Sequence, residues 1–265
     1  MPGQLNINRS VGQKTANVSL VAFYGNKPPQ LLALIQQLQD FLIHSSKIRE
    51  FVPYKTEQVH GTIIGCEGFK TESGIVSKWF DRCKQINKAI DFAGLVNYLR
   101  DEIDLPLIIR FGGYDRQIDY NFLSRGQHPY FRSFQLQPTV DWVIPVTMGW
   151  SWDDGVSQAI ANLRCNLQQF NLLHKYHAGT DTLDNDFYLR LGTIYGEMTA
   201  LERKAIAIKI RSFLEERSPI YVPLQLDNLA MVRYHDLSLA PATTKIIPLS
   251  AITVSKLERL YGTDE

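Results

Sequence analysis

His60 and Thr62 stand two residues apart in the stretch VHGTIIG, Val59 to Gly65. In a β-strand, residues i and i+2 project from one face, so the imidazole and the hydroxyl lie side by side and Gly61 leaves the other face uncrowded. A histidine near neutrality gives or takes a proton. A threonine hydroxyl donates to a phosphate oxygen. Together they form a compact unit for binding and protonating a phosphoester. Two such units facing each other would supply a base for one oxygen, an acid for another, and two hydroxyls for the phosphoryl group. The chain offers a second stretch with nearly the same ending, LRLGTIYG, Leu189 to Gly196. Aligning the two sets Leu191 against His60 and Thr193 against Thr62. Leucine transfers no proton, so the second unit lacks its acid or base.

Other residues are weighed around this pair. Tyr195 follows Thr193 by two and shares its strand face, either to hydrogen-bond a ligand or to cap the core. His235, in RYHDLSL, is a candidate replacement for the missing histidine from the last strands. Its serine lies three residues on, and in a strand i and i+3 face opposite sides, so it does not copy the first motif. SRGQHPYFRSF, Ser124 to Phe134, interleaves Arg125, His128 and Arg132 with Tyr130 and Phe131. Such a mixture grips phosphates and stacks bases, or forms an ordered surface loop. His174 and His177 have a spacing that permits a shared metal, but no third ligand suggests itself, and a solvated helix end is expected there. No phosphate-binding glycine loop, dinucleotide fingerprint or nucleophile elbow is present.

The elements that must hold these residues follow from the hydrophobic pattern. NVSLVAFYG reads as a strand, and QLLALIQQLQDFLIHSS has helical apolar spacing. The HGTIIG strand comes next, then a stretch from Ser73 to Ile103 with at least one helix, then the strand LPLIIRFGGYD. After Pro138 the order begins again: the strand TVDWVIPVTMGW, the helix DDGVSQAIANLRCNLQQFNLLHK, and NDFYLRLGTIYG as one strand. A helix follows, opened by a capping box at Thr199 and Glu202. SPIYVPLQLDNLAMVRYHDLSL and TTKIIPLSAI add the final strands. The expected fold is α+β: two pseudo-symmetric lobes, residues 17–138 and 139–265, with antiparallel or mixed sheets around a central cleft and helices outside. Residues 1–16 are expected to be a tail.

The chain has 265 residues, 45% of them apolar and 21% charged, with a net charge of +1. This is an ordinary globular composition that carries no global signature of nucleic-acid or membrane binding. Cys66, Cys83 and Cys165 are scattered, which argues against a disulfide framework or a zinc knuckle. The first residues lack the apolar run of a signal peptide, and a cytoplasmic, membrane-free protein is expected.

The motif, the doubled order of elements and the tail YVPLQLDNLAMVRYHDLSLAPATTKIIPL resemble the two-histidine (2H) phosphoesterase superfamily. That superfamily includes the bacterial RNA 2′,3′-cyclic phosphodiesterases once called 2′-5′ RNA ligases, and its mark is His-x-Thr/Ser once in each of two lobes. The resemblance covers about residues 17–250. It implies a cleft in which His60 is the acid or base and Thr62 and Thr193 hold phosphate oxygens. No cofactor or metal is implied, and the partner is a nucleotide or RNA end carrying a phosphate. With Leu191 in the second motif, two functions stay open: a cyclic-phosphodiesterase-like hydrolase, or a degenerate module that binds a nucleotide or protein without turnover. The alignment further requires that Thr62 and Thr193 face each other across the cleft, with Leu191 at the vacant histidine position.

Overall fold

The computed structural model describes residues 15–177 and 183–262; the expected tail therefore lies almost wholly outside the described residues. Strand β1, Val18–Ala22, is buried along its length. Leu20 and Ala22 join the main core, while Val21 belongs to a separate apolar cluster, as expected of side chains alternating between two sheet faces. Helix α1, Pro29–Ile43, opens on a proline, which suits a first-turn position whose N–H has no helical partner. It buries Leu31, Leu34, Ile35, Leu38 and Leu42 at helical spacing.

Along the chain there follow β2 (Glu50–Pro53), β3 (Gly61–Gly65), β4 (Gly68–Thr71), β5 (Gly74–Ser77), α2 (Lys78–Lys84), α3 (Phe92–Asn97) and β6 (Leu107–Phe111). Next come α4 (Pro129–Arg132), β7 (Phe134–Pro138), β8 (Trp142–Ser151), α5 (Ala159–Asn166), β9 (Phe187–Arg190) and β10 (Gly192–Tyr195). The chain finishes with α6 (Ala200–Glu215), β11 (Ile220–Leu224), β12 (Leu229–Arg233), β13 (Lys245–Pro248) and α7 (Val254–Arg259).

Eleven of these strands form one antiparallel sheet, whose main path runs β11-β6-β8-β9-β3-β1-β12-β13; β10, β2 and β7 branch from it. Strands β4 and β5 form a separate hairpin. The class is mixed α+β, and one apolar core joins the sheet to α1, α3, α5, α6 and α7. Strands from the two halves of the sequence interleave: β6 pairs with β8, and β12 pairs with β1. The sheet therefore does not divide at residue 138.

Two local departures from the expected pattern matter for the site. The stretch NDFYLRLGTIYG is two strands, because the chain changes partners at Leu191. Strand β9 lies between β8 and β3, whereas β10 pairs with β2 and β8. Gly192 makes the transfer possible: a Cβ there would come within 2.5 Å of the Phe51 ring and the Val52 carbonyl. The second departure is that the segment after Cys66 begins with the β4–β5 hairpin before turning helical, its α2 capped by the Ser77 hydroxyl. No helix among the described residues is long and apolar enough to cross a membrane.

Candidate functional site

The site is built where β3 meets β9. The two strands share a single paired position, Gly61 opposite Leu189. Continuing that antiparallel register by one residue sets His60 across from Arg190 and Thr62 across from Tyr188. These four side chains line one cavity of about 130 Å³. Gly61 and Leu189 point to the opposite face, where the Phe187 ring lies over Gly61. A Cβ on Gly61 would stand 2.1 Å from that ring, so only glycine permits the approach.

His60 is 7% exposed. Its Nδ1 lies 2.6 Å from the Gln58 carbonyl oxygen, which can only accept, so Nδ1 carries the proton and Nε2 is the lone-pair nitrogen. Burial pushes its pKa down to about 4, opposed by the Gln58 hydrogen bond and reinforced by the positive charges of Arg190 and Lys27. The ring is thus held neutral and in one tautomer, the form that accepts a proton. Lys27 is itself brought down to about 8, by burial against the opposing charge of Glu57. Around the imidazole, Ser19 and Tyr234 share a hydrogen bond at 3.3 Å, Tyr24 stacks edge-on to His60, and Trp79 donates to Glu67 at 3.1 Å.

Away from its single pair, the β3–β9 junction is closed by a side chain. Arg164, on α5, is fully buried. Its Nε donates to the Ile63 carbonyl at 2.6 Å, and Nη2 to those of Thr62 and Asp186 at 3.2 and 2.9 Å. Its Nη1 donates to the Asp184 carbonyl at 2.6 Å. One guanidinium therefore joins β3 to the segment leading into β9. Ile63 is the extra residue of a bulge, since Leu20 pairs with Ile64 and Val21 with Thr62. Bulges free a backbone carbonyl and re-aim neighbouring side chains; here Arg164 takes up the freed carbonyl.

Behind the cavity, Asp184 and Asp186 gather an ionic cluster. Asp186 accepts from Arg132 at 2.6 Å, Ser124 at 2.6 Å and Trp150 at 2.8 Å, and pairs with Arg125 at 3.3 Å. Asp184 meets His174 Nε2 at 3.1 Å and Arg125 at 3.4 Å. Burial would raise the Asp184 carboxyl, but the His174 hydrogen bond and the Arg164 and Arg125 charges together hold it well below the usual carboxylate range. Among the described residues, no group of three or more His, Cys, Asp or Glu is placed to hold a metal ion.

No family model matches the chain, and no curated protein matches it. Among solved structures it is similar to the crystal structure of TT0787 of Thermus thermophilus, at 12% identity and a TM-score of 0.42, over 87% of this chain and 93% of that one.

Of the residues singled out from the sequence, His60 and Thr62 come together in the cavity. His174 joins them there, and the others lie elsewhere. Leu191 is fully buried in the main core, and Thr193, on β10, lies 3.4 Å from the Tyr54 hydroxyl. Neither lines the cavity, so the alignment of LRLGTIYG with VHGTIIG is corrected: the residues opposite His60 and Thr62 are Arg190 and Tyr188. The shared GTI sequence misleads because each copy pairs with a different neighbour. Tyr195 is exposed and packs edge-on against Trp142. His235 is exposed and does not line the cavity, although its neighbour Tyr234 does. Arg132 is buried on Asp186, and Arg125 spans Asp184 and Asp186. These arginines brace the ionic cluster and do not line the cavity.

The spacing of His174 and His177 suggests a solvated helix end; both are instead buried, at 5% and 4% exposure, in the segment that follows α5. His177 Nε2 accepts from the Asp184 N–H at 2.8 Å, which leaves the proton on Nδ1, 3.5 Å from Cys165 Sγ. In that tautomer His177 cannot activate the thiol. His174, by contrast, lines the cavity with His60. Arg190, Tyr188 and Arg164 escape sequence reasoning because each is unremarkable in its own segment, and His174 is noticed only for its spacing to His177 and not as a neighbour of His60. The β3–β9 register brings Arg190 and Tyr188 to His60 and Thr62, and the docking of α5 and the segment after it brings Arg164 and His174.

Proposed function

We propose that the chain binds a phosphate ester in the β3–β9 cavity and hydrolyses a P–O bond of a nucleotide or RNA end carrying a cyclic phosphate or a 2′-5′ linkage. The observation that supports this is the placing of His60 and Thr62 beside Arg190 and Tyr188 in one cavity. In the proposed step, water attacks phosphorus while His60 Nε2 takes its proton. Arg190 and the Thr62 hydroxyl hold the phosphoryl oxygens; a guanidinium suits this because it donates in a planar fork to paired oxygens. A new P–O bond to water forms and the bond to the ester oxygen breaks.

The resemblance to the 2H phosphoesterases adds a finer reading. Four strands of the main path lie on each side of the β3–β9 junction. A pseudo-twofold axis there would relate His60-Gly61-Thr62 to Tyr188-Leu189-Arg190. On that reading the second motif is Tyr-x-Arg, with an arginine where the first has threonine.

The test is incubation with nucleoside 2′,3′-cyclic phosphates and short 2′-5′-linked RNA. Turnover that falls by about 10²- to 10⁴-fold in His60→Ala, the usual span for loss of a general base, agrees with the proposal. Turnover unchanged by His60→Ala overturns it. The second reading, a nucleotide-binding module without turnover, draws on the absence of a histidine from β9. It expects cyclic nucleotides to bind unhydrolysed and more weakly to Thr62→Val.

A further inference from the structure

The cavity holds a second imidazole that neither motif supplies. His174 comes from the segment after α5, is 5% exposed, and lines the cavity with His60. Its Nε2 lies 3.1 Å from the Asp184 carboxylate, which can only accept, so Nε2 carries the proton. Its Nδ1 is buried and has no hydrogen-bond partner among the described residues. Buried polar atoms are nearly always paired, and an unpaired one next to a cavity is a place where a ligand atom completes the bonding.

We propose that His174, backed by Asp184, is the second proton-transfer group of the site and acts as the general acid that protonates the departing ester oxygen. The proposal rests on the phosphoester reading above. The two rings differ in what surrounds them. His60 hydrogen-bonds a neutral carbonyl and feels the positive charges of Arg190 and Lys27, so its imidazolium is disfavoured. His174 has a carboxylate on Nε2–H, which stabilises the imidazolium when Nδ1 is protonated.

Burial outweighs the Asp184 hydrogen bond and holds His174 neutral, its pKa lowered to about 4. The other charges that face it are Arg164 from α5, Arg125 through its pairing with Asp184, and Lys175 and His177 from its own segment. Arg164 and His177 oppose protonation, and Asp184 favours it. An entering phosphate anion favours it further, so the ring takes up a proton as substrate binds. In the reaction water's proton goes to His60 Nε2, the P–O bond to the leaving group breaks, and that oxygen takes the proton from His174 Nδ1. The site then carries one proton more on His60 and one fewer on His174, and exchange with solvent restores it.

The test compares wild type with His174→Gln on two esters: a nucleoside 2′,3′-cyclic phosphate, whose alkoxide leaving group needs an acid, and bis(p-nitrophenyl) phosphate, whose leaving group does not. Because both rates come from one preparation, their ratio is independent of how much variant folds. A general acid predicts a loss of about 10²-fold or more on the cyclic ester and little on the p-nitrophenyl ester. It also predicts that the alkaline limb of the wild-type kcat–pH profile disappears in the variant. Equal losses on both esters, or a retained alkaline limb, overturn the assignment. Wild-type turnover unaffected by His174→Gln overturns this proposal alone. A wild type that turns over neither ester overturns the hydrolase reading and this proposal with it.

Discussion

At His60, a backbone carbonyl does the work that a carboxylate does in many proton-transfer sites. The Gln58 oxygen fixes the tautomer without adding a negative charge, and Arg190 and Lys27 add positive charge nearby. A ring so placed stands unprotonated and open to a proton at neutral pH, though as a weakened base, and it is a poor resting donor. One residue on, Gly61 has a different duty. Phe187 covers it, and Phe187 is itself buried and packs edge-on to Phe23 and Phe111, which resists its retreat. Gly61→Ala is therefore expected to cost about 1–3 kcal/mol, the usual range for overpacking a tight core, read as a lowered urea midpoint. His60 and Thr62 are legible in the sequence because their spacing is local to one strand. Arg190 and Tyr188 are not, since nothing in YLR announces which strand lies alongside.

At the scale of elements, the β3–β9 junction is held by one paired position and one guanidinium. Arg164 reaches four carbonyls, on Thr62, Ile63, Asp184 and Asp186. A lysine ammonium has three donors and no planar fork, so it cannot satisfy them all. Arg164→Lys is expected to lower stability by about 3–5 kcal/mol, as when one partner of a buried charged network is removed. It is also expected to weaken any turnover without Arg164 itself touching substrate. Faster amide exchange in β3 and β9 than elsewhere in the sheet would locate the damage.

The sequence reading of elements succeeds where the signals are local. Thr199 and Glu202 form the capping box of α6, and α1 runs from Pro29 to Ile43 as its apolar spacing requires. It fails at Leu191, where an unbroken β-forming stretch changes sheet neighbours. Strand propensity reports a fit to a pleated surface and carries no information about the partner. Arg164 is equally hidden: in an amphipathic pattern an arginine reads as solvated, and only the bulge at Ile63 explains why this one is buried.

At the scale of the whole molecule, three buried histidines set the response to acid. Burial lowers the pKa of His60 and His174 to about 4 and also lowers that of His177. The unfolded chain takes up these protons near pH ~6.5, before the folded one does. Stability is therefore full at neutral pH and falls as pH drops from about 6.5 to 4. Asp184, held low in the fold, extends the loss at the acid end. Thermal melts from about pH 7.5 down to 4 are expected to show this decline, and inorganic phosphate is expected to shift it to lower pH if the cavity binds anions. A melting temperature that stays level over that range would contradict the burial of these rings.

The Arg164 clamp also bears on the order in which the protein assembles. It joins Thr62 and Arg164 across 102 residues, and the segment it holds precedes β9 by only a few positions. Contacts so distant along the chain bear a large loop-closure cost and form after the local ones. The β4–β5 hairpin has its partner close at hand, whereas the Ile63 carbonyl waits for α5 to dock. The cavity is thus among the last features to take shape during folding, and a nascent chain carries its histidine strand long before it has a site.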